Sequence, residues 1–175
     1  GQSPGAVRFV EEVIFSGKMT PKYWVLDADA LNILSRTPRW WQNMAENVIL
    51  TPHPGEMARL TGLTVDEVQA NRVDIARESA RKWGKTVVLK GACTVVARPD
   101  GWAMVSPFVN PGLASAGTGD VLSGAIAGLA AQGLSVHDAA ICGVYVHGAA
   151  GEMARQELGA AGLLATDLLP LLPRT

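Results

Sequence analysis

The sequence predicts an α/β fold of three layers, a mostly parallel sheet covered on both faces by helices and carrying one antiparallel excursion. Two observations lead there. Short apolar runs at 23–27, 47–50 and 86–90 are too brief for helices and alternate with segments of helical periodicity, the pattern of strands covered on both faces. A turn sequence, Pro99-Asp100-Gly101, then joins two further strand-like runs, 94–97 and 102–105, as a hairpin. A length of 175 residues suits one domain, and 48% hydrophobic residues are enough to fill its core.

Taken in order, Val7, Val10, Val13 and Ile14 recur at helical spacing after Pro4, and Gly17 stands where a glycine would stop the helix. The first strand ends in acid at Asp27. After the second strand, residues 54–60 read as a short helix closed by Gly62. Thr64 and Glu67 form a capping box, and Val68, Ile75, Ala76, Ala80 and Trp83 make one apolar stripe, so a single helix is expected up to Gly84. The third strand and the hairpin follow. From Thr118 the chain reads as helical: one helix to Gly133, a second from Ser135 past Glu157, and a short one from Thr166. Gly124 and Gly128 are expected to let the first of these pack closely on the sheet.

Fifteen Lys and Arg face sixteen Asp and Glu with no basic run, a net charge of −1 that draws the chain neither to nucleic acid nor to anionic lipid. Small-molecule partners are favoured. Cys93 and Cys142 lie in apolar segments without C-x-x-C spacing, which argues against a disulfide scaffold or a zinc site and for a reducing, cytoplasmic compartment. The least polar stretch, 121–131, falls short of the roughly 20 residues that span a bilayer. Gly1-Gln2-Ser3-Pro4 has neither an initiator Met nor signal-peptide character, so the chain is expected to begin inside a larger protein.

In folds of this kind ligands bind beyond the carboxyl ends of the strands. Three polar or Gly/Pro-rich segments stand there: 27–32, 51–56 and 90–94. The richest candidate comes later, Asn110 followed by Pro-Gly-Leu-Ala-Ser and then Ala116-Gly117-Thr118-Gly119-Asp120. Its glycines permit a tight turn that exposes N–H groups at a helix N-terminus, a site suited to phosphate. Asp120 falls in the first turn, where the dipole favours a carboxylate, and is placed to accept a proton from a substrate hydroxyl. An ordinary Gly-rich turn with an aspartate cap is the competing reading.

Lys90-Gly91-Ala92-Cys93-Thr94 leaves its strand sharply, offering main-chain groups and a hydroxyl to a nucleotide; a strand end with an extended Lys is the plainer alternative. With a near-neutral chain, anions are expected to be drawn locally by Lys90 and the helix amides. His53 lies between two prolines that restrict its loop. His137 and His147 fall within helices, without metal-site spacing, and are expected to be structural. Of Asp27 and Asp29, one could approach a nucleotide-bound Mg²⁺ while the other caps the following helix, although capping would account for either.

Together, V-L-D-A-D-A-L-N, I-L-T-P-H-P-G-E-M-A-R-L, V-V-L-K-G-A-C-T and A-G-T-G-D-V-L-S-G, in this order, resemble the ADP- or ATP-dependent NAD(P)H-hydrate dehydratase family. The resemblance implies a ribokinase-like fold and nucleotide-driven dehydration of the S epimer of hydrated NADH or NADPH, through phosphorylation of the ring hydroxyl and loss of phosphate. ADP is favoured over ATP, with Mg²⁺ accompanying the nucleotide. It implies that Asp120 is the base, that Gly1, His53, Pro54, Gly55, Glu56, Arg59 and Asp120 meet the hydrate, and that Lys90, Gly91, Ala92, Cys93, Thr94, Asn110, Gly117, Thr118 and Gly119 hold the nucleotide. No protein-held metal is implied.

Gly1 resembles the last glycine of a family motif, so residues 1–175 would be about the C-terminal two-thirds of one such domain, lacking its N-terminal part, an incomplete pocket not expected to turn over alone. A tetramer and a fused epimerase domain in the full-length protein are further implications. A hydroxymethylpyrimidine or hydroxyethylthiazole kinase, or an inactive nucleotide-binding module, are the alternatives; the H-P-G-E segment argues against the kinase and Asp120 against the inactive module.

Overall fold

The computed structural model describes residues 1–159 and 161–175. One sheet runs in the order β1-β2-β3-β4-β5. β1 (Trp24–Leu26), β2 (Val48–Leu50) and β3 (Thr86–Leu89) are parallel, and β4 (Val95–Ala97) and β5 (Ala103–Val105) complete it as the expected antiparallel hairpin. Successive strand residues face opposite sides. Val48, Leu50, Val87 and Leu89 therefore enter one core, while Ile49, Val88 and Val96 enter the other. Both faces are covered, which is why these strands are apolar without interruption.

The first face is covered by α1 (Pro4–Phe15), α2 (Asp29–Leu34), α3 (Pro54–Thr61), α4 (Val65–Ala70) and α5 (Arg72–Trp83). They bury Ile14, Leu31, Leu34, Met57, Val68, Ala76, Ala80 and Trp83 against it. A 3₁₀ turn at Trp40–Asn43 was not foreseen; it sets Trp40 against Trp83 with ring centroids 5.3 Å apart. The second face is covered by α6 (Thr118–Ala131) and α7 (Val136–Leu158), through Leu122, Ile126, Ala139, Ala140 and Val144. A short α8 (Ala165–Leu168) packs Leu168 against Ala150 and Ala154 of α7. Among the described residues no helix is long and apolar enough to cross a membrane.

Two expectations are corrected. The helix expected to run unbroken to Gly84 divides at Asn71, whose φ of −132° and ψ of 40° are not helical. The Thr64/Glu67 capping box is present, but it starts α4 alone. Nor do Gly124 and Gly128 serve close packing, since a Cβ built at either meets nothing within 4 Å. The close approach is at Gly143 on α7, where a Cβ would lie 2.5 Å from Ile126 Cγ1 and 3.2 Å from its Cα.

The Ile126 side chain could turn aside, but its backbone could not. Gly143→Val is therefore expected to destabilise by about 2 kcal/mol, whereas Gly124→Ala, which enters open space in a helix interior, stabilises by about 0.5–1 kcal/mol. Urea denaturation midpoints of the two variants check both signs.

Candidate active site

Three parallel strands deliver their carboxyl ends to one edge of the sheet, and the loops that follow are tied together there. Thr51, after β2, donates from its backbone N and from Oγ1 to the Leu26 carbonyl of β1, at 3.1 and 3.2 Å. The Lys90 backbone N, after β3, donates to the Pro52 carbonyl at 2.8 Å. The side chains complete the assembly. Lys90 Nζ lies 2.6 Å from Asp27 Oδ1 and 4.0 Å from Glu56 Oε2. Asp27 also accepts from the Ala28 N–H and, through Oδ2, from Ser123 Oγ of α6 at 3.0 Å. A Cβ built at Gly119 would lie 3.4 Å from Lys90 Nζ, so this cluster abuts the α6 N-terminus.

His53 is the N-cap of α3. Its Nδ1 accepts from the Gly55 and Glu56 backbone N–H groups at 3.0 and 3.3 Å, and Glu56 Oε2 accepts from the His53 N–H at 2.8 Å. With Nδ1 an acceptor, the ring proton resides on Nε2, 3.4 Å from Glu56 Oε1. His53→Ala is expected to cost about 1 kcal/mol, a drop in Tm of about 2–4 °C. His53→Asn, a good N-cap, should recover most of that in the same thermal melts.

The 90–94 turn is shaped by backbone. Gly91 has a φ of +139°, open to glycine and rarely to others, and Cys93 has a φ of +53°. Cys93 N donates to the Phe108 carbonyl at 3.1 Å, and Thr94 Oγ1 donates to the Gly91 carbonyl at 3.0 Å. Arg72 secures the turn from outside: its Nη2 donates to the Leu89 and Lys90 carbonyls at 3.0 and 3.2 Å. Arg72 heads α5, so the break at Asn71 is what brings it there. Burial pushes the Arg72 guanidinium below its ordinary range.

Gly117, with a φ of +87°, turns the chain into α6. Thr118 is buried, and its Oγ1 donates to the Leu113 and Ser115 carbonyls at 2.6 and 2.8 Å. His147 of α7 donates from Nε2 to the Thr118 carbonyl at 2.9 Å. Burial holds the His147 imidazole below its ordinary range; the nearby Lys90 charge acts the same way and the bond to Thr118 opposes both. The ring is neutral at pH 7.

These elements enclose a cleft of about 600 Å³. His53, Pro54, Lys90, Gly91, Ala92, Thr94, Asn110, Thr118 and Gly119 line it, as do Leu113 and Leu122 from the same glycine-rich segment and motif, His147, and four residues that the sequence did not mark, Phe108, Val109, Val144 and Gly148. The other residues singled out, Asp120 among them, are not among those that line it. Gly55 and Glu56 belong to the α3 cap, with Glu56 buried; Gly117 is the α6 N-cap. Arg59 donates from Nε to Asn32 Oδ1 at 2.8 Å, and the Gly1 amine sits 2.8 Å from Asp29 Oδ2. Asp120 is exposed in the first turn of α6, with no ion pair or side-chain hydrogen bond among the described residues.

Several expectations change here. Lys90 is not a free cation awaiting an anion, because Asp27 already holds it. Asp27 does not cap α2 with its side chain, and Asp29, the first residue of that helix, is no N-cap; that position is taken by Ala28 with a φ of +49°. His137 is structural as expected, hydrogen-bonded to Thr86 Oγ1 at 2.8 Å, but His147 faces the cleft.

The chemistry follows from this inventory. An apolar-walled cleft opens onto helix-terminal amides, so it suits a flat aromatic group with a phosphate tail. Asp27, Glu56 and the paired Lys90 stand together next to Gly119 at the α6 N-terminus, and Asp120 lies in the first turn of that helix. Among the described residues no three His, Cys, Asp or Glu side chains form a metal-binding group. Carboxylates such as Asp27, Glu56 and Asp120 are the donors that suit Mg²⁺ carried on the phosphates of a nucleotide.

The architecture is that of the ribokinase-like class. A solved structure described as a ribokinase-like superfamily protein, from Enterococcus faecalis V583, matches with a TM-score of 0.83 at 26% identity, over 99% of this chain and 58% of that one. The chain belongs to the NAD(P)H-hydrate dehydratase family, whose model matches residues 1–174. It is 52% identical over 155 residues to a Neisseria meningitidis protein named ADP-dependent (S)-NAD(P)H-hydrate dehydratase, covering 86% of this chain and 52% of the relative. The crystal structure of a Bacillus subtilis ADP/ATP-dependent NAD(P)H-hydrate dehydratase, co-crystallised with ATP/Mg²⁺ and soaked with CoA, matches with a TM-score of 0.77 at 42% identity, over 86% of this chain and 54% of that one. The chain spans about a third of the length of relatives named bifunctional NAD(P)H-hydrate repair enzyme, and about half of those named for the dehydratase alone.

Proposed function

We propose that this chain carries the nucleotide side and the catalytic base of an (S)-NAD(P)H-hydrate dehydratase that uses ADP in preference to ATP, with Mg²⁺ on the nucleotide. The supporting observation is the convergence of the H-P-G-E loop, the K-G-A-C-T turn and the α6 N-terminus on one cleft at the carboxyl edge of the sheet. Asp120 takes the proton of the nicotinamide-ring hydroxyl as its oxygen attacks the terminal phosphorus of the nucleotide. Amides of the 116–119 turn take up the charge on the transferring group, apart from that of Thr118, which the Ser115 carbonyl holds. Breaking of the terminal P–O bond releases AMP from ADP, and the phosphorylated carbon then loses phosphate with a ring proton to restore the double bond. Phosphorylation turns hydroxide, a poor leaving group, into a good one, which is what the nucleotide contributes.

Lys90 to Thr94, Asn110 and the Gly117–Gly119 turn would hold the nucleotide; His53 with Pro54 to Arg59, and Gly1, would face the hydrate. Residues 1–175 would be the C-terminal part of one catalytic domain, a reading supported by relatives named for the dehydratase alone, of which the chain spans about half; an epimerase domain would accompany it in bifunctional full-length forms. A homotetramer in the cytoplasm completes the proposal. The full-length protein is tested by following NAD(P)H absorbance as the hydrate is converted with ADP or ATP. Recovery of absorbance, faster with ADP, is expected. A phosphorylated alcohol accumulating without NAD(P)H would identify a small-molecule kinase instead.

A further inference from the structure

We infer that His147 is a positioning residue, which aims the Gly119 N–H into the cleft by gripping the carbonyl of Thr118; only the identity of the group that this amide meets rests on the function proposed above. His147 is 8% exposed, and its Nε2 lies 2.9 Å from the Thr118 oxygen. A carbonyl can only accept, so the proton is on Nε2 and Nδ1 is bare. The peptide joining Thr118 to Gly119 is trans and planar, and its C=O and N–H point in opposite directions. This peptide is the first of α6, so the helix already constrains it, and the grip of His147 on its oxygen tightens the direction of the N–H.

That N–H is a donor without an internal acceptor. The Asp120 and Val121 N–H groups turn back to the Gly117 carbonyl and the Thr118 N–H to that of Ser115, whereas Gly119 N makes no hydrogen bond to the protein among the described residues. Gly119 and His147 both line the cleft. The Thr118 side chain is pinned separately, by its hydroxyl. His147 thus adds orientation that packing does not need. An apolar side chain would fill the same space without the desolvation cost of an imidazole.

The test uses the ¹⁵N-labelled protein with His147→Leu, which keeps bulk and removes the donor, and His147→Gln, which keeps a donor near the Nε2 position. The expected results are an Nε2-protonated ring in the unaltered protein, a displaced Gly119 amide resonance in His147→Leu, and about tenfold weaker binding of Mg-ADP by that variant. His147→Gln restores the resonance and most of the affinity. An Nδ1-protonated ring overturns the inference, as does a folded His147→Leu whose Gly119 resonance and ADP affinity are unchanged. Should His147→Leu fail to fold, His147→Gln decides: a Gly119 resonance displaced despite the retained donor overturns the inference, and one left in place supports it. If the unaltered protein binds no ADP, the proposed function fails, while the response of Gly119 to the His147 variants still decides this inference.

Discussion

Asp120→Ala in the full-length protein is expected to lower kcat for NAD(P)H-hydrate dehydration by about 10²–10⁴-fold, the range for loss of a positioned general base. Asp120→Asn should fall as far, because an amide keeps the shape but cannot take the hydroxyl proton. KM for the nucleotide should move little, since the proposed nucleotide contacts are the 90–94 turn, Asn110 and the 117–119 turn. Stability should barely respond. The side chain is exposed and makes no side-chain hydrogen bond among the described residues, so only its interaction with the helix N-terminus is lost. Thermal melts run beside the kinetics separate a lost base from a lost fold. Near-normal kcat in a folded Asp120→Ala would remove Asp120 from the mechanism.

The sheet was legible because strands buried on both faces have to be apolar at every position, a signal that needs no partner to interpret. The turn glycines were legible for a similar reason: Gly91 and Gly117 adopt positive φ, which the sequence announces by using glycine. What escaped was set by partners far away in the chain. Asn71 sits among residues compatible with helix, and the break there accompanies the reach of Arg72 to carbonyls 17 and 18 residues on. His147 reads as one more residue on a helix until Thr118, 29 positions earlier, is placed beside it. Phe108 and Val109 lie in an irregular stretch after the hairpin, without periodicity to mark them as a cleft wall. Lys90 and Asp27 were each seen, but their pairing across 63 residues was not.

That partner makes the second large prediction. Lys90 and Asp27 have side chains only 18% and 15% exposed, at 2.6 Å, in a setting where a lone charge is poorly hydrated. Asp27→Ala leaves the ammonium with Glu56 Oε2 at 4.0 Å as its remaining anion, and it strands the Ser123 hydroxyl. Breaking such a pair from one side costs about 3 kcal/mol, a fall in Tm of roughly 6–12 °C for a chain of this size. Lys90→Met should cost less, because Asp27 keeps the Ala28 N–H and Ser123 Oγ as donors. The double variant Asp27→Ala/Lys90→Met should therefore be more stable than Asp27→Ala alone, with a coupling of about 1–3 kcal/mol in the double-mutant cycle read by denaturant unfolding. Function should not recover with stability. The pair holds an ammonium beside Gly119 at the head of α6, so a stable but uncharged replacement should bind ADP more weakly than the unaltered protein. If Asp27→Ala melts within about 2 °C of the unaltered protein, the pair is too well solvated to organise this end of the cleft.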